Sequence, residues 1–254
     1  MTQLIKTRKR IPDTHQLLLD ELEKVLSSLD DNTQDIYPFR PHPDSPGSYN
    51  QYMDFAVSVY ADKFKQLYSA LASALENEWY LVYAQCARSI LENAAVCRYY
   101  SFKESLVEMK RCFESGRATE ELLRNAMDDL DRFVRGTRFS WDAFIEHRFD
   151  ELSKTPHQPN LQQVNVQTCL SHWYKDKPRL EHLYNLLSDM VHPNLGSNLL
   201  TMRTLDNETV AGGLSGEFLC MFIVAPTLAG VVGAYMEIQQ SLQRLCQLRL
   251  QPQK

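Results

Sequence analysis

This sequence predicts an all-α protein, and three features carry that expectation. Glycine is scarce, with 9 among 254 residues. Long stretches consist of Leu, Ala, Glu, Lys and Gln, residues that cost little in a helix. Apolar side chains recur at three- and four-residue spacing along most of the chain. One interruption is expected near 199–211. There Leu199–Leu205, the pair Asp206-Asn207 and Glu208–Val210 read as a small β-hairpin with a tight turn.

The elements follow in order. Pro12 and Asp13 open a helix over about 12–29, with Leu17, Leu18, Leu22, Val25, Leu26 and Leu29 as its apolar stripe. Pro38, Pro41, Pro43 and Pro46 lie among aspartates and mark an extended linker over 30–48. A long helix starts at Asn50, with Phe55, Val59, Phe64, Leu67, Leu71 and Leu75 inward. A third begins after Asn77 and continues, with a break, to about Phe113. Residues 117–152 read as two shorter charged helices split near Gly136. A helix with Cys169, Leu170 and Trp173 comes next, and Pro178 starts the one that ends at His192. The last helix spans about 215–248. The expected organisation is an N-terminal helix and Pro-rich linker over 1–49, then a bundle over 50–254 with an inserted helical segment at about 114–165.

The net charge of −5 argues against a dedicated duplex-DNA binder. Cysteines 86, 97, 112, 169, 220 and 246 are scattered and none forms Cys-x-x-Cys, so they read as reduced thiols of a cytoplasmic protein. The basic Lys6, Arg8, Lys9 and Arg10 are followed by Pro12-Asp13 and not by an apolar run, so no signal peptide is expected. Phe218 to Met236 is a 19-residue stretch without a charge, close to the length of a membrane span. It is read as a central bundle helix, apolar all round because other helices surround it. A span there would strip the bundle of its core helix, so no membrane association is expected.

Two constellations carry candidate chemistry. Tyr184-Asn-Leu-Leu-Ser188-Asp189-Met-Val-His192-Pro193 puts Ser188 and His192 one helical turn apart. Proline ends the helix there, and the negative end of the helix dipole favours a protonated histidine. Such a histidine serves a general acid, a phosphate ligand or a structural cap equally well. The second constellation is Arg88-Ser-Ile-Leu-Glu92, again one turn apart, among apolar neighbours. Ionic groups in such surroundings need partners. They serve either as a salt bridge that fixes helix register or as a phosphate-binding arginine with an orienting carboxylate. No nucleophile elbow supports a Ser/His/Asp hydrolase, the histidines show no metal-ligand spacing, and no phosphate loop is present, so neither metal nor cofactor is expected.

Arg88-Ser-Ile-Leu-Glu92 on one helix and Tyr184-x-x-Leu-Ser188-x-x-Val-His192-Pro193 on a later one together resemble the HEPN-like all-helical bundles, in an uncharacterised bacterial branch. The resemblance covers about 50–113 and 166–240. It implies a dimerising bundle, and for many members metal-independent ribonuclease activity in toxin–antitoxin, abortive-infection and antiviral systems. The family signature is an arginine, a polar residue and, a few residues later, a histidine. His192 matches; Leu187 stands where the arginine of the commonest spacing falls, and Ser188 takes the polar position.

Two readings follow. In one the protein is an RNA-directed effector: His192 acts on a 2′-hydroxyl or leaving oxygen, Arg88 steadies the phosphate, and Ser188 and Glu92 orient them. In the other it is a non-catalytic helical module that binds a partner protein or nucleotide, with the same four residues locking the bundle. Either way a homodimer is expected, because Tyr- and Phe-rich helices leave a patch for self-association.

Overall fold

A computed structural model describes residues 4–30, 46–135, 146–148, 165–193, 195–201 and 215–251, and among these there is no strand. The helices are α1 (Ile5–Arg10), α2 (Gln16–Asp30), α3 (Pro46–Glu76), α4 (Tyr80–Ser101), α5 (Glu104–Glu114), α6 (Glu120–Arg135), α7 (Val166–Asp176), α8 (Arg179–Val191), α9 (Leu195–Thr201) and α10 (Gly216–Gln247). A 3₁₀ turn at Asp13–His15 leads into α2.

The N-terminal basic run is a helix in its own right. Arg8 of α1 bridges Asp20 and Glu23 of α2 at 2.8 and 3.0 Å, and Gln16 caps the carbonyls of Arg8 and Ile11. Helix α2 turns Leu19, Leu22, Val25 and Leu29 inward, while Leu17 is 73% exposed. The inward stripe therefore runs through Leu19, not Leu17. In α3 the first turns bury Tyr49, Tyr52, Met53, Ala56, Val57 and Tyr60, with Phe55 and Val59 only half-buried. Tyrosine takes core positions here because its ring is apolar and only its hydroxyl needs a partner. Tyr68 places its hydroxyl 2.7 Å from the Val231 carbonyl, inside the protein.

Helix α4 lies at the centre, against α3, α7, α8 and α10. A tight turn joins α3 to α4: Trp79 N–H returns to the Ala74 carbonyl at 2.8 Å, and Glu78 adopts φ 60°. That left-handed conformation is uncommon for a side-chain-bearing residue. Glu78 is held there by Arg10 at 2.7 Å. Gly116, with φ 66°, makes the equivalent turn between α5 and α6 without steric cost. Helix α6 sends Ala126, Met127, Leu130 and Phe133 into the common core, where Phe133 stacks on Tyr60 and Tyr100.

The hairpin expected at 199–211 does not start as expected. Leu199–Thr201 are the last turn of α9, and 202–211 lie outside the described residues. Leucine is a good helix former, and Leu200 at 7% exposure joins the core through the helical periodicity of α9. Of the linker expected over 30–48, residues 31–45 lie outside the described residues. Asp30 still belongs to α2, and Pro46–Ser48 already form the first turn of α3. That helix starts four residues before the expected Asn50, because proline suits a helix's first turn. Most of 136–164 likewise lies outside the described residues.

Helix α10 runs parallel to α4. Tyr80 lies at Gly216 and Cys220, Tyr83 at Thr227, and Arg98 at Glu237. Residues Cys220–Val224 widen into a π-helical turn just before Pro226. Proline has no N–H to offer the preceding turn and its ring crowds the carbonyl four residues back, so a wider turn relieves the clash. Thr227 returns its hydroxyl to the Ile223 carbonyl at 2.6 Å and meets the Tyr83 hydroxyl at 2.8 Å. The helix is long and apolar enough to cross a membrane, but it is not surrounded on all sides. Its apolar window is 56% buried. Leu219, Ile223, Leu228, Val231 and Ile238 face the core, whereas Phe218, Met221, Phe222 and Met236 are exposed.

Candidate functional site

Helices α4, α7 and α8 meet at one hydroxyl. Tyr184, on the inward face of α8, donates to Glu92 Oε1 at 2.8 Å. The Tyr184 hydroxyl oxygen in turn accepts from Arg88 Nη2 and from Gln167 Nε2, each at 3.2 Å. Arg88 Nε also lies 3.0 Å from Glu92 Oε1. Its N–H is not aligned on that oxygen, so this contact is an ionic attraction and not a well-directed hydrogen bond. Both charged side chains are 25% exposed, so the pair sits at the edge of the interior. The Arg88 guanidinium lies over the face of the Tyr184 ring, 5.4 Å from its centroid. Burial works against its charge, but Tyr184 and Glu92 together raise its pKa.

The two sequence motifs therefore come together, although through Tyr184. It lies one turn before Ser188 on the same face, which is the signal the sequence offered; the importance of its hydroxyl was missed there. Gln167 was missed as well, since nothing in the spacing of α7 singles it out. Ser188 follows with its Oγ shielded from solvent and without a hydrogen-bond partner among the described residues.

His192 stands apart from this network. It is the C-terminal cap of α8 with extended backbone (φ −69°, ψ 149°), and its backbone N–H returns to the Ser188 carbonyl at 3.0 Å. Its imidazole is exposed and makes no hydrogen bond or ion pair among the described residues. Helix termination is thus carried by the backbone and by Pro193, not by the ring. Asp189 is exposed too, with no ion pair to His192.

A second polar network joins α4, α7 and α10. Glu237 is 9% exposed and lies 3.2 Å from Arg98 Nε and 3.8 Å from Arg244 Nη1. Arg98 also bonds Asp176 at the end of α7. The sequence shows Glu237 only as the end of the uncharged run. That it is drawn inward depends on Arg98, far off in the chain on α4, and on Arg244, two turns further along α10. Beside it, Phe102 lies under the Arg98 and Arg244 guanidinium groups, 5.3 and 4.3 Å from its centroid. Among the described residues no group of three His, Cys, Asp or Glu is placed to hold a metal ion.

No family model matches this sequence, and no curated protein or solved structure matches it either.

Proposed function

We propose that this protein is a HEPN-like helical bundle that acts as a non-catalytic binding module in a bacterial defence or toxin system. One observation supports this reading over the ribonuclease. The Arg88 guanidinium is already committed to Glu92 and Tyr184 within its own chain. A cation satisfied in this way has less to offer a phosphate, and a phosphate beside it would also meet the Glu92 carboxylate. The exposed His192 is then a lone imidazole at a helix end, without the adjacent arginine that the family signature supplies.

The ribonuclease reading draws on the accessibility of the same imidazole, which is free to meet an RNA 2′-hydroxyl. A cleavage assay with purified protein and single-stranded RNA in the presence of a chelator separates the two. The binding module leaves the RNA intact. Cleavage that persists in chelator and disappears on His192→Ala, with the fold retained, would establish the ribonuclease instead.

A further inference from the structure

Between the end of α7, the start of α8 and the middle of α10 lies a groove of about 470 Å³. Small-molecule sites typically span about 300–1,000 Å³. The floor is the bare helix surface at Gly230 and Gly233, and Leu180 and Leu183 wall it. At Gly230 the groove is tight: a Leu183 methyl stands 2.4 Å from where a side chain on that glycine would begin. At Gly233 it is open, with nothing within 4 Å of the same point. Apart from Trp173, Lys177 and Arg179, no lining residue carries a polar side-chain atom.

Those three polar residues belong to one short stretch of chain. Trp173 lines the groove at 1% exposure, and its indole N–H has no acceptor among the described residues. An indole nitrogen only donates, and a buried donor left unpaired is costly, so this one calls for an oxygen. Lys177 ends α7 one turn later and returns its backbone N–H to the Trp173 carbonyl at 3.1 Å. Arg179 opens α8, exposed and without an ion-pair partner among the described residues. No side chain caps the N-terminus of α8, and its dipole adds to the positive potential. Two carboxylates temper that potential: Glu237 lies 3.9 Å from Lys177, and Glu181 sits in the first turn of α8. A singly charged anion therefore suits this corner better than a phosphate dianion.

We propose that this groove binds a small amphiphilic carboxylate of the fatty-acid type, its head at Trp173, Lys177 and Arg179 and its tail over Gly233 toward Gly230. One carboxylate oxygen accepts from the Trp173 N–H, and the other meets the two cations. Lys177 marks the level of Glu237 on α10. Gly230 lies two turns earlier, about 10 Å along the helix axis, which is the reach of a decanoate tail. Apolar walls take up such a tail without loss. A peptide is a poorer occupant, because its backbone N–H and C=O groups would find no partner on those walls. This inference does not depend on whether the Arg88 and His192 region is catalytic.

The test is calorimetric titration of the full chain with decanoate, decanol and decylamine, each below its micelle-forming concentration. Heteronuclear NMR reads the site directly: the chain has three tryptophans, and Trp173→Phe assigns the indole N–H signal of Trp173. Decanoate is expected to bind saturably, one per chain, and to move that signal. Decanol and decylamine should bind about tenfold more weakly or worse, since neither brings an anion. Gly233→Leu should weaken decanoate by about tenfold or more, because it fills the groove. That variant has open space for its side chain and gains helix propensity, so it keeps the fold, as circular dichroism would confirm. Arg179→Glu should weaken decanoate and favour decylamine. Absence of saturable decanoate binding would overturn the proposal. So would decanol that binds as tightly, an unmoved Trp173 signal, or indifference to Gly233→Leu. Flotation with vesicles of phosphatidylcholine and phosphatidylglycerol, without binding of dissolved decanoate, would overturn it in favour of a membrane surface.

Discussion

Removing a single oxygen tests how the bundle joins its two motifs. Tyr184→Phe keeps the ring packed in α8 and deletes one hydroxyl. That hydroxyl makes one bond to a carboxylate at 2.8 Å and accepts one from a guanidinium and one from an amide, each at 3.2 Å. Bonds to charged groups contribute about 1.5–3 kcal/mol when sheltered. Here Arg88 and Glu92 are a quarter exposed and still attract one another at 3.0 Å, so water and the remaining ion pair offset part of the loss. The expected destabilisation is about 1–2 kcal/mol, or about 2–4 °C in Tm per kcal/mol for a chain of this size. Glu92→Gln should cost a similar amount, and the double variant less than the sum, because both changes empty the same network. His192→Ala, by contrast, should stay within about 0.5 kcal/mol of wild type, since its exposed ring has no partner. Urea unfolding followed by far-UV circular dichroism measures all four variants against the wild type. A His192→Ala loss larger than that of Tyr184→Phe, or strict additivity of Tyr184→Phe and Glu92→Gln, would refute the reasoning.

Other outcomes follow from the same structure. Glu237→Ala strips Arg98 and Arg244 of their shared carboxylate; because Arg98 keeps Asp176, the loss should fall near the low end of about 3–5 kcal/mol, read from the same urea curves. Native protein should present one thiol per chain to Ellman's reagent, Cys246, and six after denaturation, because the other five are buried. Burial raises the thiols of Cys97 and Cys169 above their ordinary 9.0, Cys169 to about 12, and the hydroxyls of Tyr49, Tyr60, Tyr68, Tyr83 and Tyr100 above 10.0. A raised folded-state pKa means the unfolded chain loses its proton first, so stability should hold below pH 9 and fall as pH climbs past 9 and then 10. Lys63 acts in the opposite sense, since burial lowers its pKa from 10.5, but it is one group against many. Tyrosinate absorbance should therefore appear together with loss of helicity; tyrosinate that forms without unfolding would contradict the assigned burial.

The sequence alone determined that the chain is helical and where most helices break. Helix formation depends on local propensity, and Pro178, Pro193, Asn77 and Gly116 act within a turn of where they stand. The pairing of Arg88 with Glu92 was legible for the same reason, being one turn apart. What lay further off in the chain was decided by tertiary structure. Leu199–Thr201 was read as the start of a strand, yet helical periodicity and the burial of Leu200 make it the end of α9. Leu17 and Leu19 are equally apolar, and only the position of α3 and α10 decided which one is buried. The 19-residue uncharged run of α10 looks uniform in sequence, but helices cover one side and leave the other bare. Tyr184 became the joint between α4, α7 and α8 because packing brought Arg88, Glu92 and Gln167 to one hydroxyl, and His192 was left outside by a single turn of backbone. Periodicity reports which face of a helix is apolar; which neighbour meets that face, and which polar group finds a partner there, is set by contacts between residues about 100 apart in the chain.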